Sequence, residues 1–333
     1  MMRYPFPALL CDIGGTNARF ALLRDPCGAP ETLPSSRTAD FASFEDCLRA
    51  LFRETGVRPK SCIVCAAGPV DGATVRLTNA NWSIDGRALA REFHLEQGVM
   101  FNDFEALALS IPVLAPEWLR VIGSNDGQPA GARVIHGPGT GLGTAALIEV
   151  EGKWRAVASE GSHSDFAPIY PDELAFWPHV EPKLGRITPE ALISGPGVRR
   201  LHRARAAAAG RPRPDLSDAA IIDAALSAPT GDEAETVRVF WRLAARYAGD
   251  VALNFLATGG VFLAGGILPR IIGLLDDRAF RAAFENKAPY VELARKIPTR
   301  LIIRDNVALD GLAGVARDPD RYAIDAEARG WVD

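Results

Sequence analysis

Cysteine is scarce and confined: five residues in 333, all of them within the first 65. The odd number, with no secretory signal ahead of it, gives no disulfide framework and points to the cytoplasm. Cys62 and Cys65 stand three apart in an apolar, strand-like run. Their side chains therefore point to opposite faces and make a poor metal pair, whereas buried reduced thiols fit well. An excess of positive charge is also missing. Lys and Arg number 37 against 41 Asp and Glu, a net charge of −4, and the pI is near 5.8. That balance leaves no electrostatic case for nucleic acid, and the basic clusters Arg199-Arg200 and His202-Arg203-Ala204-Arg205 read as a solvated helix face. No unbroken apolar run suits a membrane span. The nearest, Val251 to Pro269, is divided by Asn254, Thr258, four glycines and Pro269 into a helix end, a turn and a short strand. What remains, 48% hydrophobic and 23% charged residues, is the composition of a soluble globular protein, at a length that suits two domains with a sizeable core.

The most informative stretch is Asp12-Ile13-Gly14-Gly15-Thr16-Asn17, just after the apolar run Ala8-Leu9-Leu10-Cys11. An apolar run ending in an acidic residue and paired glycines reads as a buried strand breaking into a tight turn. Ala18 to Leu23 is apolar again, so strand–turn–strand is expected. The lysine and following helix of a Walker loop are both absent. Glycines let backbone N–H groups approach a ligand, and a ring of them beside the Thr16 hydroxyl would cradle phosphate. The hexapeptide alone fits a plain glycine hairpin in a sheet core equally well.

Further stretches extend the pattern: Leu77-Thr78-Asn79, Phe101-Asn102-Asp103-Phe104, Gly137-Pro138-Gly139-Thr140-Gly141-Leu142-Gly143, Glu160-Gly161-Ser162-His163-Ser164-Asp165-Phe166-Ala167-Pro168, Ile193-Ser194-Gly195-Pro196-Gly197 and Gly259 to Ile267. In this order, over nearly the whole chain, they resemble the bacterial glucokinase family of the hexokinase–actin–heat-shock ATPase superfamily. The resemblance implies an α/β, two-lobed actin-like ATPase fold with ribonuclease H-like lobes and an active site in the interdomain cleft. It implies a small domain of residues 1–112 plus about 305–333, and a large domain of 113–304. The terminal helix would return to pack on the first domain.

Local patterning predicts the elements. A hairpin spans 7–24, and Phe41 to Glu54 is an amphipathic helix with Phe44, Leu48, Leu51 and Phe52 on one side. Ser61 to Ala67 is a buried strand, and Val70 to Thr78 a strand pair turning at Asp71-Gly72. Ser83 caps a helix through Phe93, Val99-Met100-Phe101 is a strand, and Asn102-Asp103 opens a helix ending before Pro112. Strands are expected at 132–136, 144–151, 154–158, 261–264 and 300–303. Helices are expected at 171–178, 188–193, 196–209, 217–227, 231–257, from Leu268, and at 307–316. Gly210-Arg211-Pro212-Arg213-Pro214 reads as an exposed linker.

The resemblance implies ATP-dependent phosphorylation of the 6-hydroxyl of D-glucose, the first step of glycolysis, with glucosamine or mannose as lesser acceptors and a homodimer as the assembly. ATP would lie along Cys11, Asp12, Ile13, Gly14, Gly15, Thr16 and Asn17 on one lobe and Gly139, Thr140 and Gly141 on the other. Gly265 and Gly266 would take the adenosine, although such a pair also serves packing. Asp12 would hold Mg²⁺ through water, since that ion keeps part of its hydration shell; the alternative is a turn-initiating side chain. Asp103, at a strand end opening a helix, is the candidate general base, or else a helix cap. Asn79, Asn102, Asp103, Glu160, His163 and Glu190 would contact the sugar, since carboxylates and imidazole suit vicinal hydroxyls. Glu190 is anchored only through the Ser194-Gly195-Pro196-Gly197 that follows it. Ser162 and Ser164 depart from the family's usual glycine and apolar residue. The zinc motif of the related repressor–open-reading-frame–kinase family is absent, and no third ligand joins Glu160 and His163.

Two other readings compete. Gly141-Leu142-Gly143-Thr144-Ala145-Ala146 matches a dinucleotide fingerprint, which demands a helix after the glycines. Glu151-Gly152-Lys153 instead reads as a hairpin turn. A non-catalytic sugar sensor would not need Asp103, and the six residues before the first strand leave no room for an N-terminal helix-turn-helix.

Overall fold

The computed structural model of the chain describes residues 3–123, 131–211 and 215–332. By Cα proximity these fall into two units, one of 1–115, 147–158 and 305–333, the other of 116–146 and 159–304.

In the first unit, Ala8–Ile13 and Asn17–Leu23 form an antiparallel pair. Ala8–Ile13 runs parallel to Ser61–Ala66, which in turn runs parallel to Gln97–Asn102. The six-stranded sheet is completed by Glu31–Arg37 at one edge and Gly330–Val332 at the other. Period-two alternation sends Leu9, Cys11 and Ile13 into a core with Phe20, Phe44, Leu48, Cys62 and Val64 and turns Asp12 to the other side. The helix Phe44–Thr55 covers the core face, capped by Ser43, whose hydroxyl accepts from the Asp46 amide. The helix Val307–Arg317 packs on the helix Asp103–Ser110 and on the strands Ala8–Ile13 and Ser61–Ala66. Register aligns Ile13 with Ala66 and Ala66 with Asn102. The three parallel strands thus end together, and at such carboxyl ends α/β sheets hold their ligands.

A second six-stranded sheet, most of whose strands belong to the second unit, has the order Lys153–Ser159, Leu142–Val150, Arg133–Pro138, Gly260–Leu263, Thr299–Ile302, Leu119–Ile122. Arg133–Pro138, Gly260–Leu263 and Thr299–Ile302 are parallel, so Gly139 and Gly265 follow neighbouring strands at one edge. The long helix Asp232–Asn254 packs on Asp218–Ser227, Gly195–Ala208 and Asp277–Glu285 and buries Phe240, Trp241 and Tyr247. No helix among the described residues is long and apolar enough to cross a membrane.

Several elements differ from their sequence readings. Ser83 does not cap a helix. Ser83–Asp85 is a strand paired with Thr74–Arg76, and Asp85 caps the helix Gly86–Phe93 by accepting from Arg87 and Ala88; tertiary pairing overrides a local capping signal. Past Leu268 the chain makes short helices at Ile267–Arg270, Asp277–Glu285 and Val291–Lys296. The hairpin segment Leu147–Ala158 groups with the first unit, so the second is not the continuous stretch 113–304. Of the supposed solvated basic face, His202 is buried, its Nδ1 3.0 Å from Thr236 Oγ1. Within the supposed linker, Pro212-Arg213-Pro214 lie outside the described residues.

Candidate active site

The first unit supplies one set of groups. Gly14 N–H donates to the Asn17 carbonyl and closes the turn. Thr38, just past the strand Glu31–Arg37, ties it down, its hydroxyl donating to Gly15 O at 2.7 Å and its N–H to Thr16 O. Gly15 lies against Asn79, whose Cβ is 2.7 Å from where a Cβ on residue 15 would sit. Thr16 and Asn79 are exposed beside the turn. Cys11 and Ile13 are fully buried in the core, so they offer a nucleotide only main-chain atoms. Cys11 Sγ instead lies 3.7 Å from Cys62 Sγ.

Asp12 sits between Arg19, at 3.4 Å from Oδ2, and Cys65, whose Sγ is 3.7 Å from Oδ1. Burial pushes its carboxyl above the ordinary value against the pull of Arg19. Cys65 is held protonated first by burial and then by the fields of Asp12 and Asp103.

At residues 102 and 103 the cap falls to the first. Asn102 is the N-cap: its Oδ1 accepts from Phe104 N–H, and Glu105 completes a capping box by accepting from Asn102 N–H at 3.0 Å. Asn102 Nδ2 donates to Gly68 O at 3.1 Å, leaving one amide hydrogen for any ligand. Asp103 is the first helical residue, half-buried, with Oδ1 also accepting from Phe104 N–H.

The second unit gathers the other groups. His163 Nε2 is 3.5 Å from Glu160 Oε2 and 3.7 Å from Glu190 Oε2. Glu190 is only 11% exposed and receives Lys183 Nζ at 2.6 Å on its other oxygen. Its Oε2 also accepts from Leu142 N–H, which joins this cluster to the turn Gly139-Thr140-Gly141. At Gly141 a Cβ would fall 2.6 Å from Glu190 Oε2, so any larger residue there displaces that carboxylate. Gly139 O accepts from Gly195 N–H, at the start of the Ser194-capped helix Gly195–Ala208. Gly265, at φ +86°, lies with its would-be Cβ 2.5 Å from Pro138 O, while the space at Gly266 is open. A flat base could lie against that bare backbone. Leu142–Val150 is a strand, so the helix that a dinucleotide fingerprint requires is absent.

A glucokinase family model matches residues 9–319. The glucokinase of Sinorhizobium medicae is 43% identical over 98% of this chain and 97% of its own length. This chain belongs to the glucokinase family. It carries the family's activity, ATP-dependent phosphorylation of glucose. Among solved structures, glucokinase from an Antarctic psychrotroph superposes with a TM-score of 0.83 at 29% identity, over 94% of this chain and all of that one. Balamuthia mandrillaris glucokinase in complex with glucose superposes at 0.80, with 20% identity over 95% and 94% of the two chains; at that identity it shows the fold alone.

Three supports of the site went unseen in the sequence. Thr38 fixes the first turn, and Lys183 binds Glu190. Glu173, fully buried, accepts from Arg246 at 2.5 Å, and Arg246 donates to Ala167 O with its guanidinium over the Phe166 ring. That buried pair anchors the backbone just beyond His163. The contacts of Thr38 and Arg246 join residues far apart in the chain, and none of the three leaves a local signature.

Proposed function

We propose that Asp103 is the general base of the glucose kinase reaction and that both units serve the same glucose and the same ATP, in the cleft of a two-lobed actin-like fold. Asp103 accepts the proton of the sugar 6-hydroxyl as that oxygen attacks the γ-phosphorus. The bond from phosphorus to the bridging oxygen breaks, and ADP leaves with that oxygen's electron pair. Phosphoryl transfer asks little more of the protein than position and charge. The turns at Gly14–Asn17 and Gly139–Gly141 hold the phosphates by backbone N–H groups, with the Thr16 and Thr140 hydroxyls beside them, and Gly265-Gly266 faces the adenosine. Glu160, His163 and Glu190 take sugar hydroxyls, with Asn79 and Asn102 as further partners. The observation that carries this reading is the capping of the helix Asp103–Ser110 by Asn102 and Glu105, which puts the Asp103 carboxyl at a rigid strand end with one oxygen, Oδ1, on Phe104 N–H.

Among the described residues no group of three or more metal-ligating side chains exists. A lone, largely buried carboxylate fits Mg²⁺ bound mainly by water and ATP. Asp12 would hold the ion, which supplies charge neutralisation on the β- and γ-phosphates. The resemblance further implies a homodimer in the cytoplasm, which light scattering on purified protein tests.

A hexose panel with Mg-ATP, read by ADP release, tests the substrate. Glucose is expected to be used best, with glucosamine and mannose behind it. Equal use of galactose, or no sugar-dependent ADP release, would overturn the proposal.

A further inference from the structure

Between the two sugar-contact segments lies a tight turn, Lys183-Leu184-Gly185-Arg186. Its ends exchange backbone hydrogen bonds, Lys183 N–H to Arg186 O at 2.9 Å and Arg186 N–H to Lys183 O at 3.1 Å. Leu184 at φ +51° and Gly185 at +78° give the paired positive φ values of a two-residue hairpin turn. Leu184 is 95% exposed and meets no core, so hydrophobic burial does not explain the turn's conformation.

The turn is tied to both sides of the sugar cluster. Lys183 reaches Glu190 at 2.6 Å. Arg186 reaches Asp165, two residues beyond His163, at 2.8 Å. Ile187 O accepts from Phe166 N–H at 2.9 Å. The segment bearing Glu160 and His163 and the segment bearing Glu190 are thus strapped to one short hairpin. Of the two ion pairs, the one to Asp165 is open to water and contributes little. The one to Glu190 meets a carboxylate shielded from solvent, where a charge-assisted hydrogen bond has more effect.

We propose that Lys183 is a positioning residue of the sugar site, fixing the Glu190 carboxylate against His163 and the Leu142 amide. This rests on the reading of Glu160, His163 and Glu190 as sugar contacts. With Oε1 engaged by Lys183, Glu190 turns Oε2 toward His163 and the phosphate turn and is held in the rotamer that faces a hydroxyl. Without Lys183 the carboxylate keeps its backbone partner but loses its second anchor, and it rotates among several positions before sugar arrives. The affinity for sugar falls while the phosphate turn, held also by Gly195 N–H, keeps its form.

The test is Lys183→Met, which keeps an unbranched apolar stem and removes the charge, beside Lys183→Arg, which restores a donor. Lys183→Met is expected to raise the KM for glucose about tenfold, with kcat and the KM for ATP within about twofold of wild type and an unchanged melting temperature. Lys183→Arg should recover most of the loss. A glucose KM within twofold of wild type in Lys183→Met would overturn the proposal, as would a fall in kcat together with a rise in both KM values. His163→Ala, assayed in parallel, separates the two levels. If it raises the glucose KM and Lys183→Met does not, only the positioning role fails; if neither does, the sugar-site reading fails with it.

Discussion

At the residue scale, the polar groups of the site are distinguished by how firmly each is held. Glu160 is 80% exposed and His163 half-exposed, whereas Glu190 is shielded. Glu160→Gln and His163→Ala should therefore fold normally and raise the glucose KM about tenfold, the effect of one unpaired hydrogen-bonding group, with the ATP KM little changed. Steady-state kinetics with each substrate varied checks this, and an effect on ATP alone would contradict it. His136 makes a different point. It is fully buried three residues before Gly139, and neither ring nitrogen has a hydrogen-bond partner among the described residues. The edge of its ring meets the Tyr247 ring at 5.4 Å. Burial lowers its pKa from 6.5 to about 3. The unfolded chain then takes up a proton below pH 6.5 that the folded chain refuses. Its contribution to stability is complete above that pH and is lost at about 1.4 kcal/mol per pH unit as pH falls toward 3. Urea denaturation at pH 7 and pH 5 should show this slope in the wild type and a shallower one in His136→Phe. Equal slopes would place the loss elsewhere.

At the element scale, the parts that were legible in the sequence are those whose signal is local. The strand–turn–strand at Ala8–Leu23 shows in its alternation and glycines, and the helices of the second unit show in their period. Glu31–Arg37 was missed because an edge strand of mostly polar residues with Pro34 lacks that alternation, and Gly330–Val332 because three residues carry no period. Ser83 misled because a capping residue within a short strand has the same local appearance as one before a helix. The candidate site was legible as residue types. Their grouping was not, because His163 and Glu190 meet through the turn at Lys183–Arg186 and through Leu142. That link also joins the turn proposed for phosphate to the cluster proposed for sugar. Gly141→Ala should push the Glu190 carboxylate aside and reduce kcat/KM for glucose and for ATP on the order of 10²-fold. A defect confined to ATP would mean that the two are independent.

At the scale of the whole molecule, Asp103 falls in one unit and Glu160, His163 and Glu190 in the other, so the proposal is tested on the intact chain. The parallel strands of each sheet end in the turns assigned to phosphate, which is why glycine-rich turns at Gly14 and Gly139 follow runs of buried residues. The central claim concerns the proton of the sugar hydroxyl, and one substitution isolates it. Asp103→Asn retains the shape and helical position of the side chain and removes the basic oxygen. In a coupled assay with glucose and Mg-ATP, the purified, folded variant should lose about 10²–10⁴-fold in kcat, while glucose binding measured by calorimetry stays within a few-fold of wild type. Retention of more than about a tenth of wild-type turnover would contradict the assignment of Asp103 as the base.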